Sequence, residues 1–303
     1  MQAVAAFRHA APCASNWSGE NASVMPSASG GGSRRPALYR RRRALLIATV
    51  VGLVLAGVGV SQLGLFGNPG CALPGATCTR VLFIGDSYTY VNDLPTTFAD
   101  LAWAGGHRVE IGTLAAGGET LAGHVSDSAT ASTIASAPWN TVVLQDQSEN
   151  PAVAEYRQTE MYPAVTQLVG MIRSAGAEPL LFLTWGHQSG WPQAGFSTYS
   201  SMQAAVDQGY LGIASRLAVS IAPVGDAWQT MIAKQADPGL WQDDGVHPTT
   251  GGTYLAACVF YAAIFRQSPV GLGYHDGLTA AEAAMLQQAS TATVLQNPVR
   301  WGL

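Results

Sequence analysis

The sequence predicts an α/β fold: a three-layer α/β/α sandwich around a central parallel sheet of about five strands, preceded by one transmembrane helix. Three observations carry this expectation. Short apolar runs alternate with longer stretches of helical spacing, the pattern of βαβ units. Several of the runs are apolar throughout, which marks strands covered on both faces. A 23-residue apolar segment, 44–66, lies ahead of all of them.

The elements follow in chain order. Arg80–Ile84 is an apolar run ending at Gly85 and reads as the first strand. Leu94–Trp103 fits a helix, and Val109–Leu114 reads as a second strand ending near Gly117-Gly118. Thr141–Leu144 is the third strand. Ala152–Ser174 has helical spacing, with apolar positions at Val165, Leu168, Val169 and Ile172. Pro179–Thr184 is the fourth strand, Ser200–Leu217 a helix and Val219–Pro223 the fifth strand. Thr253–Phe265 and Ala280–Leu295 close the chain as helices. Right-handed crossovers place these helices on both faces of the sheet. Sites in such sheets lie at the carboxyl ends of the strands, so the residues after Ile84, Leu114, Leu144 and Thr184 are the ones to inspect.

Composition separates the chain into unlike parts. Of its 303 residues 48% are hydrophobic and only 11% charged, which argues against long charge-rich disorder or coiled coil. Residues 1–43 hold seven Arg against one acid, Glu20, whereas the remainder holds eight basic and eighteen acidic residues. An acidic body repels phosphates, so nucleic acid is not an expected partner. Residues 1–43 read as a disordered basic tail. Ala44–Phe66 reads as a signal anchor, long enough as a helix (~34 Å) to cross a bilayer core. The Arg40–Arg43 cluster puts the N-terminus in the cytoplasm and the body outside. A secreted form after signal cleavage is the alternative. Residues 67–79 form a linker to a domain spanning 80–303. Cys71 and Cys78 flank a short Pro/Gly loop there, either as a disulfide or as two free thiols.

Two segments carry chemistry. Gly85-Asp86-Ser87-Tyr88-Thr89 follows the first strand, where Gly85 permits a tight turn and Ser87 is exposed at the mouth of the sheet. A serine there is a nucleophile if a base reaches it. Asp244-Gly245-Val246-His247 stands before a long helix. Its three-residue spacing lets the carboxylate hold Nδ1–H of the imidazole and leaves Nε2 free to take a proton. Asp226, after the fifth strand, is a weaker candidate for the acid. Trp185, Trp191 and Trp241 flank strand ends, with Trp185 and Trp241 candidates for substrate contact beside Asp86. His124 and His187 either line a pocket or lie in surface loops.

Together these segments resemble the SGNH/GDSL hydrolases, a family of esterases and lipases. Phe83–Thr89 resembles the family's first block and Asp244–His247 its last. Gly117-Gly118-Glu119-Thr120 resembles the second block, with Gly118 the best match for the glycine whose backbone N–H faces the oxyanion. The resemblance covers roughly residues 80–266. It implies a flavodoxin-like SGNH fold, a Ser87-His247-Asp244 triad, an oxyanion hole that includes the N–H of Ser87, and no cofactor or metal. The third block departs from the family. Where Gly-x-Asn-Asp is usual, this chain has Leu144-Gln145-Asp146-Gln147-Ser148. A Gln amide can make the bond the Asn makes, with one more methylene of reach, so Gln147 is the first choice of donor and Gln145 the second.

No Gly-x-Ser-x-Gly elbow, Walker loop or paired zinc-ligand spacing is present. The resemblance, with the apolar segment ahead of the domain, implies a membrane-anchored, extracytoplasmic serine esterase that hydrolyses a short acyl ester, acetyl groups included, on a small molecule or glycan. A non-catalytic glycan-binding module on the same fold and an O-acyltransferase are the alternative readings.

Overall fold

The first strand, β1 (Thr79–Gly85), has alternate side chains that enter two different cores. Val81 and Phe83 pack on one face of the sheet, Leu82 and Ile84 on the other. The same division runs through β3 (Thr141–Leu144), β4 (Glu178–Leu183) and β5 (Ser220–Pro223). That is why these runs are apolar throughout: with helices on both faces, neither side of a strand meets water. Only β2 (Val109–Ala115), an edge strand, is mostly half-buried.

The computed structural model describes residues 68, 70–72, 77–235 and 238–303. The tail, the signal anchor and most of the linker expected from the sequence lie outside them. Among the described residues, no helix is long and apolar enough to cross a membrane. Cys71 and Cys78 are joined by a disulfide.

All strand pairings are parallel, in the order β2-β1-β3-β4-β5. The chain thus steps outward from β1 in one direction, then returns to continue in the other. The point of reversal lies between β1 and β3, where flanking loops diverge and leave a crevice. The chain follows β1 with a short helix α1 (Ser87–Tyr90) and then α2 (Leu94–Ala104). After β2 come α3 (Leu121–Ser126) and α4 (Ser128–Ser136), and after β3 come α5 (Ala154–Tyr156) and α6 (Tyr162–Ser174). α7 (Tyr199–Leu217) precedes β5, and α8 (Val224–Ala233), α9 (Thr250–Phe265) and α10 (Ala280–Leu295) complete the chain. Helices α2, α8, α9 and α10 cover one face, and α3, α4, α6 and α7 the other.

The helix expected over Ala152–Ser174 runs from Ala154 to Ser174 without a break, but a wide π turn at Arg157–Met161 lies between α5 and α6. Pro163, at the start of α6, has no N–H to give to the preceding turn, so a regular ladder cannot continue through it. In α9, thirteen of sixteen residues are buried, which explains why that segment shows no polar face.

Candidate active site

The turn after β1 is held by three side chains, those of Asp86, Gln145 and His124. Gly85 has no side chain because there is no room for one: a Cβ would fall on Gln145 Oε1 and Thr89 Oγ1. Asp86 caps α1, its Oδ1 accepting from the Tyr88 N–H at 2.9 Å. Gln145 Oε1 accepts from the Asp86 N–H and from the Thr89 hydroxyl, both at 2.8 Å, and its Nε2 donates to Asp86 Oδ1 at 2.7 Å and to the Asp146 carbonyl. On the other side, the buried His124 lies 2.8 Å from the Gly85 carbonyl through Nε2. A carbonyl can only accept, so that nitrogen carries the hydrogen. Ser87 follows this braced turn, 8% exposed, at the carboxyl end of the sheet.

The imidazole beside Ser87 arrives from 160 residues away. His247 Nε2 is 2.9 Å from Ser87 Oγ, and Nδ1 is 2.6 Å from Asp244 Oδ2. A carboxylate has no proton to give, so Nδ1 carries the hydrogen and Nε2 accepts from the serine hydroxyl. Asp244 Oδ1 also accepts from the backbone N–H groups of Val246 and His247, each at 2.9 Å, which folds the loop into the shape that presents the imidazole. Burial works against ionisation of Asp244, but the His247 ring and the two N–H groups outweigh it and hold the carboxyl at about 2. It is therefore an anion throughout the neutral range. Asp226, the other acid considered, lies instead 3.1 Å from Arg300 Nη2.

The three segments expected around the oxyanion differ in what they offer. Gly118 has the left-handed backbone (φ +70°) that a side chain would strain, and nothing stands within 4 Å of where a Cβ would be, so its surroundings are open. The Ser87 N–H finds no protein acceptor among the described residues. Gln147 Oε1 accepts from the Glu149 N–H at 2.8 Å, and its Nε2 makes only a long 3.4 Å contact to Ser148 Oγ. Gln145 is a different matter. It is fully buried with both amide hydrogens committed, so it braces the turn that carries Ser87 and has no hydrogen left for an oxyanion.

Two further expectations are corrected. Asp86 does not line a substrate surface; it is 2% exposed and spent on the helix cap and on Gln145. Trp185 is wholly buried, sandwiched between Tyr88 and Trp228 with ring centroids 4.3 and 4.0 Å away. An aromatic at a strand end is as easily drawn into the core as onto a ligand, and here the core takes it. Trp241 is half-buried, packs edge-on to Tyr199 and Trp228, and donates to the Gly186 carbonyl at 3.3 Å. His187 faces the loop of Asp244 and His247, and burial pushes its pKa down.

One residue near the site escaped sequence reasoning. Asp146 is fully buried, and its Oδ1 accepts from the Leu121 and Gln147 N–H groups, both at 2.9 Å, tying the second and third loops together. Burial raises its carboxyl to about 6.

No protein-family model and no curated protein matches the chain. Solved structures do. A protein assigned to the SGNH hydrolases, from Slackia heliotrinireducens, aligns at 28% identity over 61% of this chain and 97% of its own, with a TM-score of 0.53. This chain is similar to the SGNH/GDSL hydrolases. A DUF4886 family protein from Bacteroides uniformis shares the fold at 19% identity and a TM-score of 0.61, over 73% of this chain and 96% of its own. The likeness to SGNH/GDSL enzymes supports a carboxylic ester hydrolase.

Proposed function

We propose that this chain is a membrane-tethered serine esterase that works outside the cytoplasm and hydrolyses short acyl esters, acetyl esters of small molecules or glycans among them. The observation that carries the reading is the unbroken hydrogen-bond chain from Asp244 through His247 to Ser87.

In this reading, Ser87 Oγ attacks the ester carbonyl carbon as His247 Nε2 takes its proton. The oxyanion is held by the N–H groups of Ser87 and Gly118 and by the Gln147 amide. Collapse of the tetrahedral species breaks the bond to the alcohol, which leaves with the proton from His247. Water, deprotonated by the same imidazole, then attacks the acyl-serine. The carboxylic acid departs and the Ser87 hydroxyl is restored. Asp244 keeps the imidazole in the tautomer that accepts from serine and stabilises the imidazolium.

The Cys71–Cys78 disulfide supports an oxidising compartment, in keeping with the outward orientation that Arg40–Arg43 and the apolar run 44–66 favour. The test is hydrolysis of p-nitrophenyl acetate by the full chain in detergent. Wild type turns it over and Ser87→Ala does not; equal rates in the two would refute the assignment of the nucleophile.

A further inference from the structure

The nucleophile and its base are carried on separate stretches of chain, and one side chain touches both. The Trp185 ring lies flat against the ring of Tyr88, the residue after Ser87, with centroids 4.3 Å apart and planes 10° from parallel. Its Nε1–H donates at 3.0 Å to the carbonyl of Val246, the residue before His247. The stack and the hydrogen bond come from one rigid bicyclic group with two rotatable angles, so the ring sets a fixed span between the segments that carry Ser87 and His247.

Around it the loop after β4 is stitched to the base-bearing loop at two more points. The Gln188 N–H donates to the Gly245 carbonyl at 2.7 Å, and Trp241 Nε1 donates back to the Gly186 carbonyl at 3.3 Å. The loop after β4 is itself pinned from behind, since the Gly186 N–H donates to the buried Gln203 Oε1 at 2.7 Å. The Val246 carbonyl sits between the two N–H groups that grip Asp244, so a donor fixing that carbonyl fixes the peptide planes that orient the acid as well.

We propose that Trp185 is the positioning residue that sets the reach of His247 to Ser87, acting through its stack on Tyr88 and its bond to the Val246 carbonyl. This rests on the esterase reading above. Trp228 supplies an internal control. It stacks on the opposite face of Trp185 at 4.0 Å and is equally buried, yet its own Nε1 has no acceptor among the described residues. Replacing either indole by a phenyl ring removes the same atoms from the same stack, but only at Trp185 does it remove a bond to the catalytic loop.

The experiment compares W185F, W228F and wild type as full chains in detergent, with p-nitrophenyl acetate as substrate and a fluorophosphonate to count reactive Ser87. W185F lowers kcat per titrated serine about tenfold with KM changed by less than about twofold, the scale of one lost hydrogen bond that orients a reacting group. W228F retains kcat within about twofold of wild type, because no bond to the loop is lost. The Nδ1 proton resonance of His247 shifts in W185F and not in W228F. Equal kcat in the two variants, or a loss in W185F that appears in KM or only as a fall in folded fraction, overturns the positioning role while leaving the esterase reading intact. A W185F chain that fails to fold when W228F folds also overturns it, by showing a core residue. An inert wild type overturns the esterase reading and this one with it.

Discussion

The two ends of the sheet are made differently. At the carboxyl end, the loops 85–93, 115–128, 145–153, 184–198 and 239–249 contain no Lys or Arg, but include Asp86, Glu119, Asp127, Asp146, Glu149, Asp243 and Asp244. At the amino end stand Arg80, Arg108, Arg173, Arg216, Lys234 and Arg266, at strand starts or helix ends. Helix dipoles explain the sorting, since carboxylates are favoured at helix N-termini and cations at C-termini, and in a parallel α/β layer all crossover helices point the same way. Two cavities, of about 340 and 420 Å³, lie at the amino end, lined by residues such as Arg173, Glu178 and Ser220 or Ser220, Val299 and Trp301, and one of about 450 Å³ lies between α8 and α10, lined by Asp226, Gln229 and Arg300 among others. None of the three is lined by Ser87, Asp244 or His247, so the candidate site is identified by its hydrogen bonds and not by its size.

The sharpest way to break the comparison is to remove the reacting groups. Ser87→Ala or His247→Ala lowers kcat for p-nitrophenyl acetate by about 10⁴–10⁶ while the circular dichroism spectrum stays that of wild type. Gln147→Ala lowers kcat by about 10²–10³, the scale of one oxyanion donor, and a smaller loss moves that role to another group. Gln145→Ala behaves differently although it is two residues away. It leaves the Asp86 N–H and the Thr89 hydroxyl without partners, so it costs about 2–4 kcal/mol of folding stability in denaturant titration.

Charge and pH give smaller effects. Burial raises the carboxyls of Asp146 and Asp226 to about 6, and those of Asp86 and Asp207 in the same direction. An acid whose folded pKa is raised costs stability when it must ionise, so stability falls as pH rises through the window from about 4 to 6. The thermal midpoint therefore rises, by about 2–4 °C per kcal/mol recovered, as pH is lowered from 7 towards 5 in differential scanning calorimetry. His187, held below its ordinary value by burial, opposes part of this gain. Asp244 acts at the other extreme, its contribution being lost only as pH falls from about 4 towards 2. At the amino end, Arg173→Ala removes hydrogen bonds to the Leu217 and Ala218 carbonyls, and kcat stays at the wild-type level.

What the sequence revealed follows the same division between local and non-local causes. β1 was legible because four consecutive apolar residues ahead of Gly85 admit few structures other than a doubly covered strand. The proximity of Asp244 to His247 was legible because three residues of chain enforce it. The engagement of His247 with Ser87 needs the whole sheet; the residue types suggested the pairing and the resemblance to a known family strengthened it, but no local spacing enforces it. Gln145 and Gln147 look alike in sequence, and their separation depends on which faces the gap left by Gly85. The burial of Trp185 was illegible for a similar reason: its partners Tyr88 and Trp228 lie some 97 and 43 residues away along the chain. The π turn at Arg157–Met161 was foreshadowed by Pro163 but was masked by the strong apolar spacing that follows it.

The central claim is that the Ser87 hydroxyl is made nucleophilic by His247. Incubating the full chain with a fluorophosphonate and digesting it for mass spectrometry tests this directly. One adduct on Ser87, formed in wild type and slowed at least about a thousandfold in His247→Ala, is the predicted result. No adduct, or one on Ser87 that forms equally fast without the imidazole, would contradict it.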